Sequence, residues 1–567
     1  MKKNLLLFIL STPLSLFGQI STISSNDGSI TITPKGLLGK TNTGSPLNVS
    51  LGENTLKLNT TGFSNTAIGY STLGQNTSGG ANTSVGSQSM NFNTSGSYNT
   101  AVGTSALMKI TTGEGNTSLG SYSLQNNLTG SSNTAIGHVS LFSNSTGYAN
   151  VAIGGASNYY NFSGFRNISL GFGSMYFNRT GSNNIAIGHS AISSNDVGDF
   201  NIAIGYESLK YNSSNLNLGI GNKALFFNNS GVENIAVGEE TLYSNRGSNN
   251  LALGFKALRN NQLSSGLVAI GYNSLFNNTI GQNNTAVGFN SLLSNVSGNS
   301  NTAIGYNSLK ANTNGFANTA EGEGSLYSNI QGYGNTANGF YSMWYNISGN
   351  YNSAIGVGSL YLNESGTYNT ASGWDALRNN TIGNENTAVG VEALKNNISG
   401  SYNTALGYNA NVISDNYINA TVIGANANVD ASNKVRIGNS SVTVIEGQVG
   451  WSTPSDLRLK ENIVSNTKLG LNFITKLNPV RYNYISDATK TIHDGFIAQE
   501  VESIMDALKL PFSGLKKSSD GKYSLTYSDF IMPMVNSIKE QQSQIDELKK
   551  LNNELLERLN TIEKARH

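Results

Sequence analysis

The stretch "PSDLRLKENI", residues 454–463, concentrates reactive and charged side chains in a chain that is otherwise poor in them. Only 12% of the 567 residues are charged, yet Asp456, Arg458 and Lys460 fall within five positions here. Opposite charges this close can hold a loop through charge-assisted hydrogen bonds. The hydroxyl of Ser455 is a weak nucleophile until a base takes its proton, which a lysine can do where burial lowers its pKa. The alternative is a surface loop with incidental charges.

The composition favours regular β structure over disorder. The chain has 64 glycines, 7 prolines and 38% hydrophobic residues, whereas disordered chains combine high charge with low hydrophobicity. Its formal net charge of +1 gives no electrostatic drive toward nucleic acid, so no nucleic-acid partner is predicted. The absence of cysteine excludes disulfides and thiolate metal sites, and we predict neither a metal site nor a cofactor.

Residues 1–18 are typical of a secretory signal peptide. Lys2 and Lys3 precede the apolar run "LLLFIL", and Gly18 suits the last position of such a peptide. A membrane anchor is the alternative, but the run is broken at Ser11 and is too short to span a bilayer. We therefore expect a secreted protein or one on the bacterial cell surface, with no transmembrane segment.

A repeat of 17 residues dominates residues 65–438. "NTAIG" at 65–69 recurs as "NTSVG", "NTAVG" and "NTSLG", and its glycine keeps phase from Gly69 to Gly424 with two steps of 16 residues. A leucine usually follows four residues after that glycine, and an asparagine three residues further on. Residues 19–64, before the repeat, are predicted to form an N-terminal β segment.

Each repeat is predicted to be one coil of a long parallel β-solenoid, or β-roll, so the chain is mainly β. "NTAIG" alternates like a short strand, with Thr and Ile on one face and Asn and Ala on the other. The Asn-x-Ser/Thr-Gly part consists of residue types that favour turns. One coil buries too little to offset its ordering entropy, so we expect stacked coils to share a narrow core of Ile and Leu, with asparagines bonding between coils. The "SLxxN" part fits a second strand or one helical turn.

The repeat resembles the head repeats of trimeric autotransporter adhesins, whose shorter "NSVAIG"-type unit builds a left-handed parallel β-roll from three chains. The 17-residue period departs from the familiar length. The resemblance implies a trimeric stalk or adhesin, and a cell-surface glycan or receptor is its expected ligand. Exposed aromatic residues would either stack on sugars or cover the solenoid: Tyr159, Tyr160, Phe226, Phe227 and Trp344.

Other functions of the repeats are disfavoured. A glycosidase needs two carboxylates converging on one cleft, and carboxylates such as Glu114 and Glu321 do not recur at one phase of the repeat. His138 and His189 follow repeat glycines without partner ligands in phase, so we predict surface residues and not metal ligands.

After a connector at 439–454, residues 455–567 have the pattern of a small α+β domain that ends in a coiled-coil helix. Apolar residues keep heptad spacing over 531–562, interrupted by two amides that fix register at a cost in stability. A lone amphipathic helix packed on its own domain is the alternative. One heptad position holds Ile531, Ile538, Ile545, Asn552 and Leu559, and the other holds Met534, Gln541, Leu548, Leu555 and Ile562.

Three motifs of this domain, "SDLRLKENI", "GFIAQEV" and "YSDFIMPMVNSIKE", resemble the C-terminal intramolecular chaperone domain of phage tail spikes and endosialidases, a family of self-cleaving serine peptidases. The resemblance implies a homotrimer whose C-terminal domain templates folding of the fibre and then cuts itself off. By the same motif, Ser455 would be the nucleophile and Lys460 its base, with cleavage between Pro454 and Ser455. Asp456 and Arg458 would hold the loop.

These features predict a secreted trimeric fibre with a single-turnover, autoproteolytic Ser–Lys endopeptidase that has no external substrate. Glu500 of "AQE" is expected to support folding of the domain or trimer contacts. A phage-type tail fibre or receptor-binding protein of the same architecture is the main alternative, although the signal peptide argues against it. A structural fibre that does not cleave itself is another.

Overall fold

The computed structural model describes residues 48–485, 487, 489–518 and 521–566, together with the backbone strands Ile30–Thr33 and Gly36–Gly39. The predicted signal peptide at 1–18 lies outside the described residues. The strands Ile30–Thr33 and Gly36–Gly39 pair antiparallel within the predicted N-terminal β segment. The chain divides into two compact units, Met1–Ser365 and Gly366–His567.

The first unit is a parallel β-solenoid, which confirms the predicted fold class. Each three-residue strand pairs in register with the strand one coil later, for example Ile168–Leu170 with Ile185–Ile187. The ladder begins one coil before residue 65, because Val49–Leu51 pairs with Thr66–Ile68. The strands are Val49–Leu51, Thr66–Ile68, Thr83–Val85, Thr100–Val102, Thr117–Leu119, Thr134–Ile136, Val151–Ile153, Ile168–Leu170, Ile185–Ile187, Ile202–Ile204, Leu218–Ile220, Ile235–Val237, Leu251–Leu253, Val268–Ile270, Thr285–Val287, Thr302–Ile304, Thr319–Glu321, Thr336–Asn338 and Ser353–Ile355.

The core of the coils corrects one prediction: the isoleucine of "NTAIG" does not lie inside. Ala186 is fully buried, whereas Ile187 in the same strand is 38% exposed. The inward positions hold that alanine, the leucine four residues after the glycine, and two asparagines. The two faces were assigned correctly, since alternate residues of a strand point to opposite sides. The core, however, lies on the Asn–Ala face, and the interior of the coil is filled by Ala, Leu and Asn.

Buried asparagines form two hydrogen-bonded ladders between coils, as the sequence predicts. In one ladder Asn82 Nδ2 donates to Asn65 Oδ1 at 3.0 Å. In the other, Asn93 Nδ2 donates to Asn76 Oδ1 at 2.7 Å. Because buried amides are costly without partners, these ladders fix the register in which the coils stack.

In most coils the "SLxxN" part is neither of the two predicted structures, but a turn with left-handed residues. Ser71 and Leu73 have φ of 53° and 52°, and the preceding Gly69 has φ of 130°. A second strand appears in only a few coils of the described chain. Around the two 16-residue steps it comprises Tyr211–Asn212, Phe227–Asn228 and Ser244–Asn245, and in the second unit Asn411–Val412 and Asn428–Val429.

The second unit contains further parallel coils and then the small α+β domain. The coil strands are Thr370–Ser372, Thr387–Val389, Thr404–Leu406, Thr421–Ile423 and Val435–Ile437. The following elements are a 3₁₀ turn Leu457–Leu459, a helix Leu471–Ile474, antiparallel strands Val480–Tyr482 and His493–Gly495, a helix Ala498–Leu508, antiparallel strands Leu515–Lys517 and Tyr523–Leu525, a 3₁₀ turn Tyr527–Phe530 and the C-terminal helix Ile531–Lys564. Their core contains Leu469, Phe473, Val501, Phe512 and Phe530.

Candidate functional site

The charged stretch of the sequence folds into a tight turn built on Asp456. The Asp456 carboxylate caps the 3₁₀ turn Leu457–Leu459 by accepting a hydrogen bond from the Arg458 backbone N–H at 2.9 Å. The Arg458 guanidinium also donates to the same carboxylate, with Nη2 at 2.6 Å from Oδ2 and Nε at 3.1 Å from Oδ1. One carboxylate therefore fixes both the backbone and the side chain of Arg458.

This contact stabilises the ionised form of both groups. The Arg458 guanidinium, with a smaller contribution from the Arg458 backbone N–H, lowers the pKa of Asp456 below its usual value. The carboxylate in turn raises the pKa of Arg458. Both side chains are exposed, so we assign the pair to loop geometry and not to global stability.

The turn brings Lys460 back to Ser455. The Lys460 backbone N–H closes the turn by donating to Leu457 O at 3.1 Å, and Lys460 Nζ donates to Ser455 Oγ at 2.7 Å. In its neutral form the same amine would instead accept the hydroxyl proton along this line. Both residues are exposed in the single chain, whereas a lysine acts as a base only where burial disfavours its charge.

The segment around this pair exposes apolar side chains that nothing in the described chain covers. Trp451 is 90% exposed, and Val449, Leu457, Leu459 and Val464 are also largely in solvent. Exposed apolar residues at this density are typical of a surface that meets a partner. Other chains could therefore supply the burial that Lys460 lacks here.

Glu500 is not brought to this pair. It lies in the first turn of the helix Ala498–Leu508 and is exposed. Among the described residues, no hydrogen bond or ion pair joins its carboxylate to Ser455 or Lys460. Its expected role in folding or assembly stays a prediction.

The sequence pattern did not single out three residues that hold the domain together. Tyr527 Oη accepts a hydrogen bond from the Phe496 backbone N–H at 3.0 Å. Asn536 Nδ2 donates to Leu469 O at 3.0 Å. These two residues and Glu540, which is described next, all lie in the motif "YSDFIMPMVNSIKE". That motif was the signal in the sequence that could have pointed to them.

The third of these residues, Glu540, caps a helix. Its Oε2 accepts from the Leu471 backbone N–H at 2.8 Å, at the start of the helix Leu471–Ile474. It is also the last residue of the C-terminal helix with such a contact to the rest of the described domain. The contacts of Asn536 and Glu540 tie the C-terminal helix to Leu469 and Leu471, which follow the candidate site in the sequence.

Beyond Glu540 the C-terminal helix is exposed on every side. Within the helix only Pro533 and Ser537 are buried. The heptad positions are uncovered in the single chain, with Leu548 65% exposed and Leu555 and Ile562 similarly open. This favours a coiled coil with other chains over the alternative of a helix packed on its own domain.

Comparison with known proteins identifies the segment that carries the Ser455–Lys460 contact. Residues 455–510 match the chaperone of endosialidase family. The match starts at Ser455 and includes Lys460 and Glu500, while the C-terminal helix lies beyond its end. No curated protein and no solved structure matches the chain.

The described part of the chain contains no helix with the length and hydropathy needed to cross a membrane. In the same residues, no group of three or more His, Cys, Asp and Glu side chains is placed to hold a metal ion. His189 instead lies in an aromatic row, stacked 5.6 Å from Phe172 and 5.5 Å from Tyr206.

The aromatic residues considered for sugar binding stack on each other along the solenoid. Tyr159 lies between Phe142 and Tyr176, at 5.0 and 5.2 Å, so both of its ring faces are covered. Trp344 stacks on Tyr327 at 4.2 Å. Since sugar stacking needs a free ring face, these rows favour the alternative that the rings cover the solenoid.

A different feature of the coils offers room for a ligand. Two adjoining recesses, of about 390 and 420 Å³, lie beside the 16-residue coil that ends at Gly254. They share Ser244 and Gln262, and the first is also lined by Phe227 and by the exposed Arg246. Hydroxyl, amide and guanidinium groups at this position can donate hydrogen bonds to a polar ligand.

Proposed function

We propose that the protein is a secreted homotrimeric fibre whose C-terminal domain templates assembly and then cleaves the chain before Ser455. The observation that carries this proposal is the hydrogen bond from Lys460 Nζ to Ser455 Oγ at 2.7 Å. It lies at the first residues of the match to the chaperone of endosialidase family. An autoproteolytic chaperone is the activity of that family.

The proposed reaction is an acyl transfer followed by hydrolysis. Neutral Lys460 takes the proton of Ser455 Oγ, which attacks the carbonyl carbon of Pro454. The C–N bond between Pro454 and Ser455 breaks, a C–O ester bond forms, and the leaving nitrogen receives the proton from Lys460. Water then hydrolyses the ester, which leaves a carboxylate on Pro454 and restores the Ser455 hydroxyl.

The arrangement makes the reaction depend on assembly. The covalent chain already places Ser455 next to the carbonyl of Pro454, so proximity is provided by the sequence. The missing requirement is burial of Lys460, because a lysine acts as a base where an apolar environment disfavours its charge. Trp451, Leu457 and Leu459 are exposed in one chain and would be covered, together with Lys460, by the other two.

The C-terminal helix is the proposed trimerisation element. Its heptad positions are exposed after Glu540, and Gln541 and Asn552 would fix the register of three parallel helices. A truncated chain that ends at Glu540 keeps the contacts that tie the helix to its domain. We expect it to be monomeric or insoluble, and a soluble trimer from this chain would contradict the assignment.

The ligand of the fibre is proposed to be a cell-surface glycan or receptor, bound at the recesses that Ser244 and Gln262 line. Arg246 is an exposed donor there, and the described structure gives its guanidinium no hydrogen bond or ion pair. An Arg246→Ala variant should lose binding on a glycan array. Arg179→Ala removes an arginine that is paired with Asp196 at 3.5 Å and serves as the matched control.

One experiment tests the proposed function as a whole. The full chain is expressed with a signal for export, and its products are measured by mass spectrometry, native mass and N-terminal sequencing. We expect a trimer and a released fragment that begins with Ser455. A trimer that stays full length would indicate a structural fibre without self-cleavage, and a fragment with another first residue would contradict the site. Phage-type assembly would be indicated by cleaved trimers that form equally well without residues 1–18.

A further inference from the structure

The two recesses lie at a turn that is shorter than the turns above and below it. In the coil before, the ladder asparagine donates to a glycine carbonyl three residues later, and in the coil after, the ladder asparagine reaches a serine carbonyl over the same span. Asn245 Nδ2 instead donates to Gly247 O, only two residues later, at 2.8 Å. The turn 245–247 is therefore one residue shorter than its neighbours, which accounts for a recess at this level of the solenoid.

Within the described chain, Arg246 is the one charged side chain that lines the recesses. The groups beside it in the first recess are neutral, namely the hydroxyl of Ser244 and the amides of Asn229 and Gln262. The described structure gives neither of these two amides a side-chain hydrogen bond. The first recess thus presents an unpaired cation among free polar groups, which favours a ligand with a single negative charge.

Phe227 ends a row of stacked rings and turns one ring face toward the first recess. Its ring stacks on Tyr211 of the preceding coil at 5.1 Å, whereas its register partner in the following coil is Ser244, which has no ring. Tyr243 of that following coil lies at 87° to the ring and does not stack on it. Phe227 is 43% exposed and lines the recess. Unlike Tyr159, it therefore keeps a ring face that no other ring covers.

The second recess continues the first along the solenoid. It is lined by Asn260, Asn277, Thr279 and Val296, which belong to three successive coils. Counted from the coil of Phe227, the two recesses extend over five coils, or roughly 19 Å at about 4.8 Å per coil. Because amides and a hydroxyl line this part without a charge, it suits the neutral rings of an oligosaccharide.

We infer that the two recesses bind an acidic oligosaccharide, with a carboxylated sugar ring held between Phe227 and Arg246. This inference rests on the proposed glycan ligand and names its chemical class. The sugar ring packs on the open face of Phe227, and its carboxylate accepts hydrogen bonds from the Arg246 guanidinium. A guanidinium matches a carboxylate, because two parallel N–H groups can donate to its two oxygens. Neutral rings of the same oligosaccharide continue along the second recess.

The solenoid contains a second row end that lacks the cation. Phe177 is 45% exposed, stacks on a tyrosine of the preceding coil at 5.1 Å, and is followed one coil later by Ser194. The position of Arg246 is occupied there by Asp196, whose carboxylate would repel an acidic ligand. Phe177→Ala is therefore a matched control for Phe227→Ala, since each removes an exposed ring at the end of a row.

The test of the charge changes the ligand and the protein in turn. Protein purified from the full chain is applied to an array of neutral, carboxylated and sulfated oligosaccharides. The strongest ligand is then compared with its carboxyl-reduced form by calorimetry. We expect a carboxylated ligand, and we expect reduction of its carboxyl group to weaken binding by about tenfold or more, the effect of one hydrogen bond to a charged group. Arg246→Ala should bind the acid as weakly as wild type binds the reduced form, and should not distinguish the two.

The test of the ring uses the same two ligands. Phe227→Ala should weaken binding of the acid and of its reduced form by a similar factor, because the ring contacts the sugar and not its charge. Phe177→Ala should bind both as wild type does. Native mass and the midpoint of thermal unfolding show whether each variant is folded. Reduction of the ligand leaves the protein unchanged, so the test of the charge does not depend on any variant.

The outcomes separate this inference from the proposed ligand. Preferred binding of neutral or sulfated glycans, lost in Arg246→Ala, would overturn the acidic class and keep the recesses as the glycan site. Carboxylated glycans that bind Arg246→Ala and Phe227→Ala as tightly as wild type would overturn both this inference and the proposed place of the ligand. Failure of every glycan on the array to bind would contradict the glycan ligand itself, whereas the proposed trimer and self-cleavage are decided separately by the mass measurements.

Discussion

The Lys460 ammonium donates a 2.7 Å hydrogen bond to the Ser455 hydroxyl while both side chains remain in solvent. The geometry of a Ser–Lys pair is therefore set within one chain by the 3₁₀ turn that Asp456 caps. The apolar surroundings that a lysine base needs are absent from the single chain. This separation gives the proposed cleavage a natural order, with assembly first and reaction second.

Replacing the nucleophile should abolish the proposed cleavage without affecting assembly. In Ser455→Ala no hydroxyl is available to attack Pro454, so only full-length trimer is expected by mass spectrometry and native mass. Ser452→Ala removes an exposed serine three residues earlier and should cleave like wild type. Cleavage that persists in Ser455→Ala would show that another group is the nucleophile.

Replacing Lys460 tests whether the proposed cleavage needs its ability to accept a proton or only its positive charge. Lys460→Ala should stop cleavage, and Lys460→Arg should also stop it, because a guanidinium keeps its proton at any ordinary pH and cannot accept another. Lys468→Arg makes the same exchange at an exposed lysine of the same segment and should be silent. Time courses on denaturing gels measure the rates, and near-normal cleavage by Lys460→Arg would rule out lysine as base.

The sequence predicted the parts of the fold that depend on period. Glycine and asparagine that recur every 17 residues predict equivalent coils stacked on one another, which is the solenoid. Apolar residues at heptad spacing predict a helix with an exposed apolar stripe, which is the C-terminal helix. The contact between Ser455 and Lys460 was suggested only by the family motif. Its geometry comes from a local turn, in which Asp456 and Arg458 hold the chain.

The sequence pattern of a single chain could not predict whether the isoleucine side chains point into the coil or outward. Alternation assigned Ile187 and Ala186 to opposite faces correctly, but hydrophobicity then favoured Ile for the core. The structure buries Ala186 and the asparagines instead, since asparagines such as Asn82 and Asn144 donate hydrogen bonds to the asparagine of the preceding coil. An apolar row facing outward is consistent with a second level of packing between chains, which a single-chain argument does not include.

Glycine at the end of each strand is required by both dihedral angle and space. Gly154 has φ of 131°, and a Cβ there would lie 2.6 Å from Gly171 O of the next coil. Gly154→Ala should therefore destabilise the solenoid by about 2 kcal/mol or more, because strain and a backbone clash add. The midpoint of thermal unfolding measures this loss.

The control for this prediction is a second glycine with positive φ. Gly173 has φ of 62°, and the nearest atom to its Cβ position is Ser190 Oγ at 3.7 Å. Gly173→Asn should be nearly neutral, because asparagine tolerates this left-handed conformation and the space is open. If Gly154→Ala and Gly173→Asn lower the thermal unfolding midpoint equally, the space between coils is not what requires glycine at position 154.

The asparagine ladders should be as important to stability as the apolar core. Asn144 is fully buried, donates to Asn127 Oδ1 at 2.8 Å and Gly147 O at 2.9 Å, and accepts from Asn161 Nδ2 at 2.6 Å. Asn144→Ala removes these three bonds inside a narrow coil and takes the donor from Asn127 Oδ1, while Gly147 O keeps the bond from Asn133 Nδ2 and Asn161 Nδ2 keeps its bond to Gly164 O. We therefore expect a loss of roughly 2–5 kcal/mol in the free energy of unfolding. The loss should spread to adjacent coils, because each repeat is stabilised by its neighbours.

Hydrogen exchange and thermal unfolding of the full chain measure this effect and its range. Asn126→Ala removes the same side chain one position before Asn127, where it is only partly buried and has no side-chain hydrogen bond in the described structure, and it should cost less than about 0.5 kcal/mol. In Asn144→Ala, faster exchange is expected first in the coils that contain Asn127 and Asn161. If both variants unfold at the wild-type temperature, the ladder bonds do not stabilise the stack, and the phase of asparagine in the repeat would need another explanation.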